Sequence, residues 1–331
     1  VEEYVFNMQK RLSRAAALRN KRAVTYYQNM IISSIDARLL AVRHVCSTNS
    51  IPGVDNVTWV TATEKMTAAM NLKNIEKYHA KPSRLIMVKS KKGKTRRIHI
   101  NTWYDRAMQC LFSLALDPVS EACADGNSFA FRKGRSHMDL HYYIEKGFRK
   151  FDWAFVADVR QCYERISHSW VMKNIPMNKK ILKEFLSAGY ILNGQFFPTD
   201  EGVGIGMNIA PIIANMVLDG LQDFIYRKLY PEAFSIPEFF KNFDDPEYFG
   251  DYEEVDSSLI DYNNGIMLRY ADDIMVITRT REEAEKVRDI IIEFLEPRGL
   301  ELSPEKSKVV NIREGFEFMS CSYVKKYGRV F

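Results

Sequence analysis

The sequence predicts an α+β fold: an antiparallel sheet flanked by helices, preceded by a helical extension. Three observations carry this. Short apolar, β-prone runs come in pairs around tight tips, segments with helical spacing separate them, and residues 4–46 interleave apolar and basic side chains without a Pro or Gly. With 331 residues and 46% hydrophobic content, the chain has enough material for a large core.

In chain order, residues 4–46 are expected to form a helix, and "NSIPGVDNVTW" (49–59) breaks it with Pro52 and Gly53. Thr61-x-x-Glu64 has the form of a capping box and starts a second helix. "RLIMVKSKKGKTRRIHI" (84–100) reads as a hairpin with a Lys- and Gly-rich tip, and "TWYDRAMQCLFSLALDPVSEA" (102–122) returns to helical spacing. "WAFVADV" (153–159) is a short apolar strand carrying Asp158, and "LSAGYILNGQFF" (186–197) holds a second hairpin. "IAPIIANMVLDGLQDFIYRKL" (209–229) is helical, and "GIMLRYADDIMVITRT" (265–280) places two apolar arms around Ala271, Asp272 and Asp273. Thr280-x-x-Glu283 then caps a helix whose apolar positions Ala284, Val287, Ile291 and Phe294 share a face; Pro297 and Gly299 stop it, and "SKVVNI" (307–312) gives a last strand.

Charge is unevenly spread. The formal net charge is +5, yet residues 231–262 hold ten Asp or Glu against one Lys, so the body of the chain is basic and one insertion is acidic. Residues 10–43 carry eight Lys or Arg against one Asp, and residues 81–100 carry eight with no acid. A phosphate-rich partner accounts for both segments; a solvated charged face is the alternative for either alone. The five cysteines are scattered without a CxxC pair, which argues against a disulfide framework or zinc knuckle and for a reduced, intracellular setting, cytoplasmic or organellar. No run approaches the length of a membrane span and no apolar signal segment opens the chain. Because Val1 stands where an initiator Met would, a fragment of something longer is expected.

Asp272 and Asp273 are adjacent carboxylates between apolar arms. Unpaired, each would cost several kcal/mol beside a buried sheet, and a divalent cation meets them best. An Asp-rich solvated turn is the alternative. It explains Asp244–Asp245, which sits among Pro, Glu and Phe of the acidic insertion, better than it explains a pair flanked by Leu, Tyr, Ile and Met. Asp158 interrupts another apolar strand, so a sheet pairing the two would gather three carboxylates. Such a set holds two Mg²⁺ about 4 Å apart for phosphoryl transfer, with Mn²⁺ as a substitute. Together with a basic hairpin for a triphosphate and a basic surface for nucleic acid, it makes a polymerase-like constellation. His137 and His141 stand at i, i+4 on a helix, but no third ligand of zinc type is near in sequence and an exposed polar face is expected. "GVGIGMNIA" (202–210) has no Walker lysine.

These residues resemble reverse transcriptases, in particular the group II intron maturase type. "YADD" (270–273) resembles that family's active-site hairpin and "FVADVRQCYERISH" (155–168) its first catalytic strand. Residues 81–100 with "DRAMQ" (105–109) resemble the fingers, "NSFAFRKGRS" (127–136) the Phe-Arg-Pro-x-Arg-Ser segment, and "GVGIGMNIAPIIANMVL" (202–218) the Gly-x-Pro-Gln-Gly segment with its continuation. "GLELSPEKSKV" (299–309) and "GFEFMSC" (315–321) match the segments that close the palm, and "GVDNVT" (53–58) an element of the amino-terminal extension.

The resemblance implies a right-hand polymerase fold of fingers and palm: residues 1–80 a basic helical extension, 81–150 fingers and 151–331 palm, with 177–200 partly fingers-like and 231–262 inserted. Thumb and maturase regions would lie beyond Phe331. It implies RNA-templated addition of dNTPs to a primer 3′-hydroxyl, with intron RNA, template RNA and DNA primer as partners, no membrane, and a homodimer admitted. Asp158, Asp272 and Asp273 would form the metal cluster, Asp273 the more peripheral. Lys89 and Arg96 would hold the triphosphate, with Arg97 adjacent in register. Tyr163 would crowd a ribose 2′-hydroxyl, or be an ordinary packed Tyr. Lys306 would stand near the palm, or be a solvated Lys, and Gly206 would lie at the substrate. Arg11, Arg14, Arg19 and Arg22 would grip RNA. Where the family has Pro-Gln this chain has Gly204-Ile205, its aromatic pair is Cys162-Tyr163, and Lys133 replaces a Pro. An RNA-binding splicing cofactor with weak or no polymerisation is the main alternative, and a retron or diversity-generating enzyme a further one.

Overall fold

The structure, a computed structural model, describes residues 1–48, 51–89, 93, 95–231 and 266–330. Most of the acidic insertion, with Asp244–Asp245, and most of the basic hairpin tip lie outside the described residues.

The expected first helix is three: α1 (Glu2–Ala17), α2 (Lys21–Ser33) and α3 (Ile35–Ser47). Two short polar side chains make the breaks. Asn20 Oδ1 accepts from Ala23 N at 3.0 Å and Ser34 Oγ from Ala37 N at 3.1 Å, so each caps a new helix inside an unbroken apolar rhythm. Helix α4 (Ala62–Asn71) carries the expected Thr61/Glu64 capping box. Strands β1 (Ser83–Lys89) and β2 (Thr95–Ile100) form the expected hairpin ahead of α5 (Trp103–Ala122). Then come α6 (His137–Lys150), β3 (Trp153–Asp158), the short α7 (Cys162–Arg165), α8 (His168–Asn174), α9 (Lys179–Ser187) and the small hairpin β4 (Tyr190–Leu192) and β5 (Gln195–Phe197). The helix expected over 209–229 is divided into α10 (Ala210–Leu218) and α11 (Leu221–Leu229) by Gly220, whose φ of +88° ends one helix and turns into the next. Strands β6 (Ile266–Tyr270) and β7 (Asp273–Thr278), helix α12 (Arg281–Leu295), β8 (Lys308–Asn311), and the small ribbons β9 (Phe316–Phe318), β10 (Cys321–Tyr323), β11 (Lys325–Lys326) and β12 (Arg329–Val330) complete the chain.

Packing divides these elements into two units: 1–123 with 163–217, and 124–162 with 218–331. In the first, α1, α2 and α3 surround α5, which therefore buries residues on all sides. Among them is Asp105, satisfied by Tyr78 Oη at 2.7 Å and Thr102 Oγ1 at 2.6 Å. The sheet order is β2-β1-β4-β5, β1 and β4 running parallel.

The second unit is built on an antiparallel sheet of order β6-β7-β3-β8. Ala154, Val156, Met275, Ile277, Ile266 and Leu268 on one face join Leu140, Ile144 and Phe148 of α6 in a single core. On the other face α12 packs against β3, β7 and β8, burying the predicted Ala284, Val287, Ile291 and Phe294. Covered on both sides, β3, β6 and β7 are apolar at most positions, and for that reason their charged residues stand out. Helix α6 closes on the sheet at Gly147, where a Cβ would come within 2.6 Å of Ile277 Cδ1. Gly147→Val is therefore expected to destabilise the chain by about 1–3 kcal/mol, read as a lower denaturant midpoint.

Candidate active site

Strand β3 pairs with β7 so that Asp158 lies directly opposite Asp273, and β6 pairs with β7 so that Tyr270 lies opposite Asp273. Facing residues of antiparallel strands share a face with Cβ atoms about 4.5–5.5 Å apart, so this register brings the first two carboxylates together. Asp272 occupies the turn between β6 and β7. The chain reverses there through Ala271 at φ +55°, and Asp272 O accepts from Val159 N at 3.1 Å, tying the turn to the end of β3. Residues 301–303 clamp the same end: Ser303 N donates to Asp158 O at 2.8 Å and Arg160 N to Glu301 O at 2.9 Å.

Lys306 is not simply solvated. Its Nζ donates to Asp158 Oδ2 at 2.5 Å, although the side chain is half exposed. Burial pulls its proton affinity down, but the bond to Asp158 and the three aspartate charges outweigh that and raise it. Asp273 is pushed up to about 6, first by burial and then by Asp272 and Asp158. Two facing carboxylates with one ammonium between three are short of positive charge. Hard oxygen donors at a strand end and an adjacent turn suit Mg²⁺ or Mn²⁺. Among the described residues no three His, Cys, Asp or Glu side chains stand close enough together to hold a metal ion. Buried Cys162, where the family has an aromatic, is pushed up to about 12 by burial and by Asp272, an inert thiol at this site.

The remaining candidates lie in the first unit. Lys89 and Arg96 are exposed, but Lys89 pairs with Thr95 and Val88 with Arg96, so the two stand on opposite faces of the ribbon. Arg97 shares the face of Lys89 and donates to Tyr190 Oη at 2.8 Å. Tyr163 is half-buried in α7, its carbonyl accepting from Val203 N at 2.6 Å. Gly206, at φ +108°, is required sterically: a Cβ there would meet His99 O at 2.5 Å. Arg11 and Arg14 on α1, and Arg22 on α2, are exposed, while Arg19 is half-exposed at the turn between them. His137 and His141 are not an exposed face. They are half-buried, with His137 edge-on to Tyr270 and His141 stacked on Tyr323, because the helix face that carries them meets the aromatic side of the sheet and its ribbons.

His99 in the first unit was not singled out from the sequence. Burial lowers it to about 4, and its Nδ1 meets Ser83 Oγ at 2.7 Å. The unfolded chain takes up this proton near pH 6.5 and the folded chain only near 4, so this contribution to stability is present above pH 6.5 and is lost as pH falls toward 4. Asp125 and Asp273, raised to about 6, act oppositely in the same window. The test is therefore a difference: wild type minus His99→Gln should lose stability between pH 6.5 and 4.

Comparison with known proteins then gives the family: residues 81–323 match the reverse transcriptase (RNA-dependent DNA polymerase) family and residues 1–72 the N-terminal domain of reverse transcriptase, so the chain belongs to the reverse transcriptases. Among its relatives the chain has group II intron-encoded proteins. It is 23% identical to protein YkfC of Escherichia coli over 84% of this chain and 77% of that protein. It is 24% identical to the group II intron-encoded protein LtrA of Lactococcus lactis over 73% of this chain and 47% of LtrA, and 23% identical to an uncharacterized 91 kDa cob-intron protein of Schizosaccharomyces pombe over 71% of this chain. The chain thus spans about half of LtrA and 33% of the cob-intron protein. A telomerase from Candida tropicalis resembles it at TM-score 0.48 and 14% identity over 76% of this chain and 54% of that one.

Proposed function

We propose that the chain is an RNA-directed DNA polymerase that adds deoxynucleotides to a primer 3′-hydroxyl on an RNA template, and that it binds intron RNA. The observation that carries this reading is the register placing Asp158 opposite Asp273 with Asp272 in the adjoining turn. When bound there, two Mg²⁺ supply activation of the attacking oxygen and neutralise the leaving phosphates. Asp158 and Asp272 would be the direct ligands, Asp273 the more peripheral one, and Lys306 holds Asp158 in place while adding positive charge beside it. In this reading the first unit holds the amino-terminal extension and fingers, and the second the palm.

Primer extension on an RNA template tests the reaction, and the choice of sugar tests Tyr163. Wild type is expected to add dNTPs and reject rNTPs; Tyr163→Ala should admit ribonucleotides if this side chain crowds the 2′ position. Unchanged discrimination in an active variant would return Tyr163 to packing. One observation favours a second reading, an RNA-binding splicing cofactor that polymerises weakly. Gly204-Ile205 offers no side-chain amide, and the Ile205 carbonyl is taken by His99 N at 2.7 Å.

A further inference from the structure

Beneath the carboxylate turn lies a buried ionic cluster that the chemistry above does not use. Arg269, in β6 immediately before Tyr270, is fully buried, and the side chains of Arg132 and Asp219 are 1% and 9% exposed. Asp219 Oδ1 accepts from Arg269 Nη2 at 2.6 Å and from Arg132 Nη2 at 2.7 Å, and its Oδ2 accepts from Arg132 Nη2 at 2.9 Å. The other arm of Arg269 reaches the turn itself: Nη1 donates to Ala271 O at 3.4 Å. Its backbone is pinned too, donating to Asn127 O and accepting from Phe129 N, both at 2.9 Å.

Ala271 is the residue that reverses the chain, at a φ of +55° that a side chain with a Cβ adopts at a cost. A planar fork fixed at one end by a buried carboxylate and at the other by that carbonyl holds the turn in its strained form. The direction in which Asp272 and Asp273 leave the turn follows from it.

We propose that Arg269 is a positioning residue, locked by Asp219, which orients the Asp272–Asp273 turn for metal binding; this rests on the reading of those carboxylates as metal ligands. Partners behind a metal's direct ligands are worth about 10–100-fold in metal affinity or activity. Lysine keeps the charge for Asp219 but has no second arm for Ala271.

The test is the Mg²⁺ dependence of single-nucleotide addition by the full chain. Arg269→Lys should raise the half-saturating Mg²⁺ concentration about tenfold while leaving primer–template affinity unchanged. Adding Ala271→Gly, which adopts the positive φ freely, should restore part of that loss. Arg132→Lys weakens the same cluster without touching the turn; it should lower thermal stability and leave the Mg²⁺ requirement at the wild-type value. If Arg269→Lys does not fold, Asp219→Glu displaces the fork while keeping the pair and should raise the requirement in the same direction. A wild-type Mg²⁺ requirement in folded Arg269→Lys or Asp219→Glu, or an equal rise in Arg132→Lys, overturns the proposal. Failure of the underlying reading looks different: Asp272→Ala would then still extend primers.

Discussion

Asp272→Ala and Asp158→Ala are expected to abolish primer extension while leaving RNA affinity nearly intact. The charge stabilisation lost with a metal ligand is several kcal/mol, on the order of 10³-fold or more in rate. Binding depends on phosphate contacts made by basic side chains elsewhere, so removing one carboxylate leaves it in place. The two variants should not behave alike in stability. Asp158 holds Lys306 at 2.5 Å and sits 9% exposed, so its loss leaves a cation without its partner, whereas Asp272 is a half-buried turn residue. The check is extension rate, RNA affinity and melting temperature on the same preparations. Extension surviving in Asp272→Ala would end the metal-cluster reading.

The quadruple change Arg11→Ala, Arg14→Ala, Arg19→Ala and Arg22→Ala is expected to weaken RNA binding and flatten its dependence on salt. These residues fall on the last turns of α1, the turn after it and the first turn of α2, so one corner of the helical extension gathers four cations. Each phosphate contact contributes about 0.7–0.9 to the slope of log affinity against log salt, and four lost contacts lower it by about 3. A salt titration on structured RNA measures this directly. An unchanged slope would mean that the charges are the solvated face of packed helices.

The hairpin carrying Asp272 and Asp273 and the strand carrying Asp158 were legible in the sequence for a physical reason. A charge at the end of a strand buried on both faces, or in the turn joining two such strands, needs a partner or a task, and these three stand at such places. The capping box at Thr61 and the N-cap at Thr280 fixed two helix starts in the same way. Arg269 and Asp219 gave the same signal, each a charge in an apolar run, but they are 50 residues apart and nothing local says that they meet. The helix breaks at Asn20 and Ser34 were hidden because one polar residue does not disturb an apolar period. The placement of 163–217 with the first unit depends on long-range pairing such as β1 with β4, which periodicity does not report.

Asp158, Asp272 and Asp273 are expected to hold the metal ions for RNA-templated DNA synthesis, and a Mg²⁺ titration of single-nucleotide addition on an RNA template tests this role without intermediaries. With primer–template and dNTP saturating, the wild-type chain should add nothing in the presence of chelator, reach a plateau as Mg²⁺ rises, and recover with Mn²⁺. Addition that survives chelation, or a chain that binds primer–template yet adds no nucleotide at any Mg²⁺ or Mn²⁺ concentration, would contradict it.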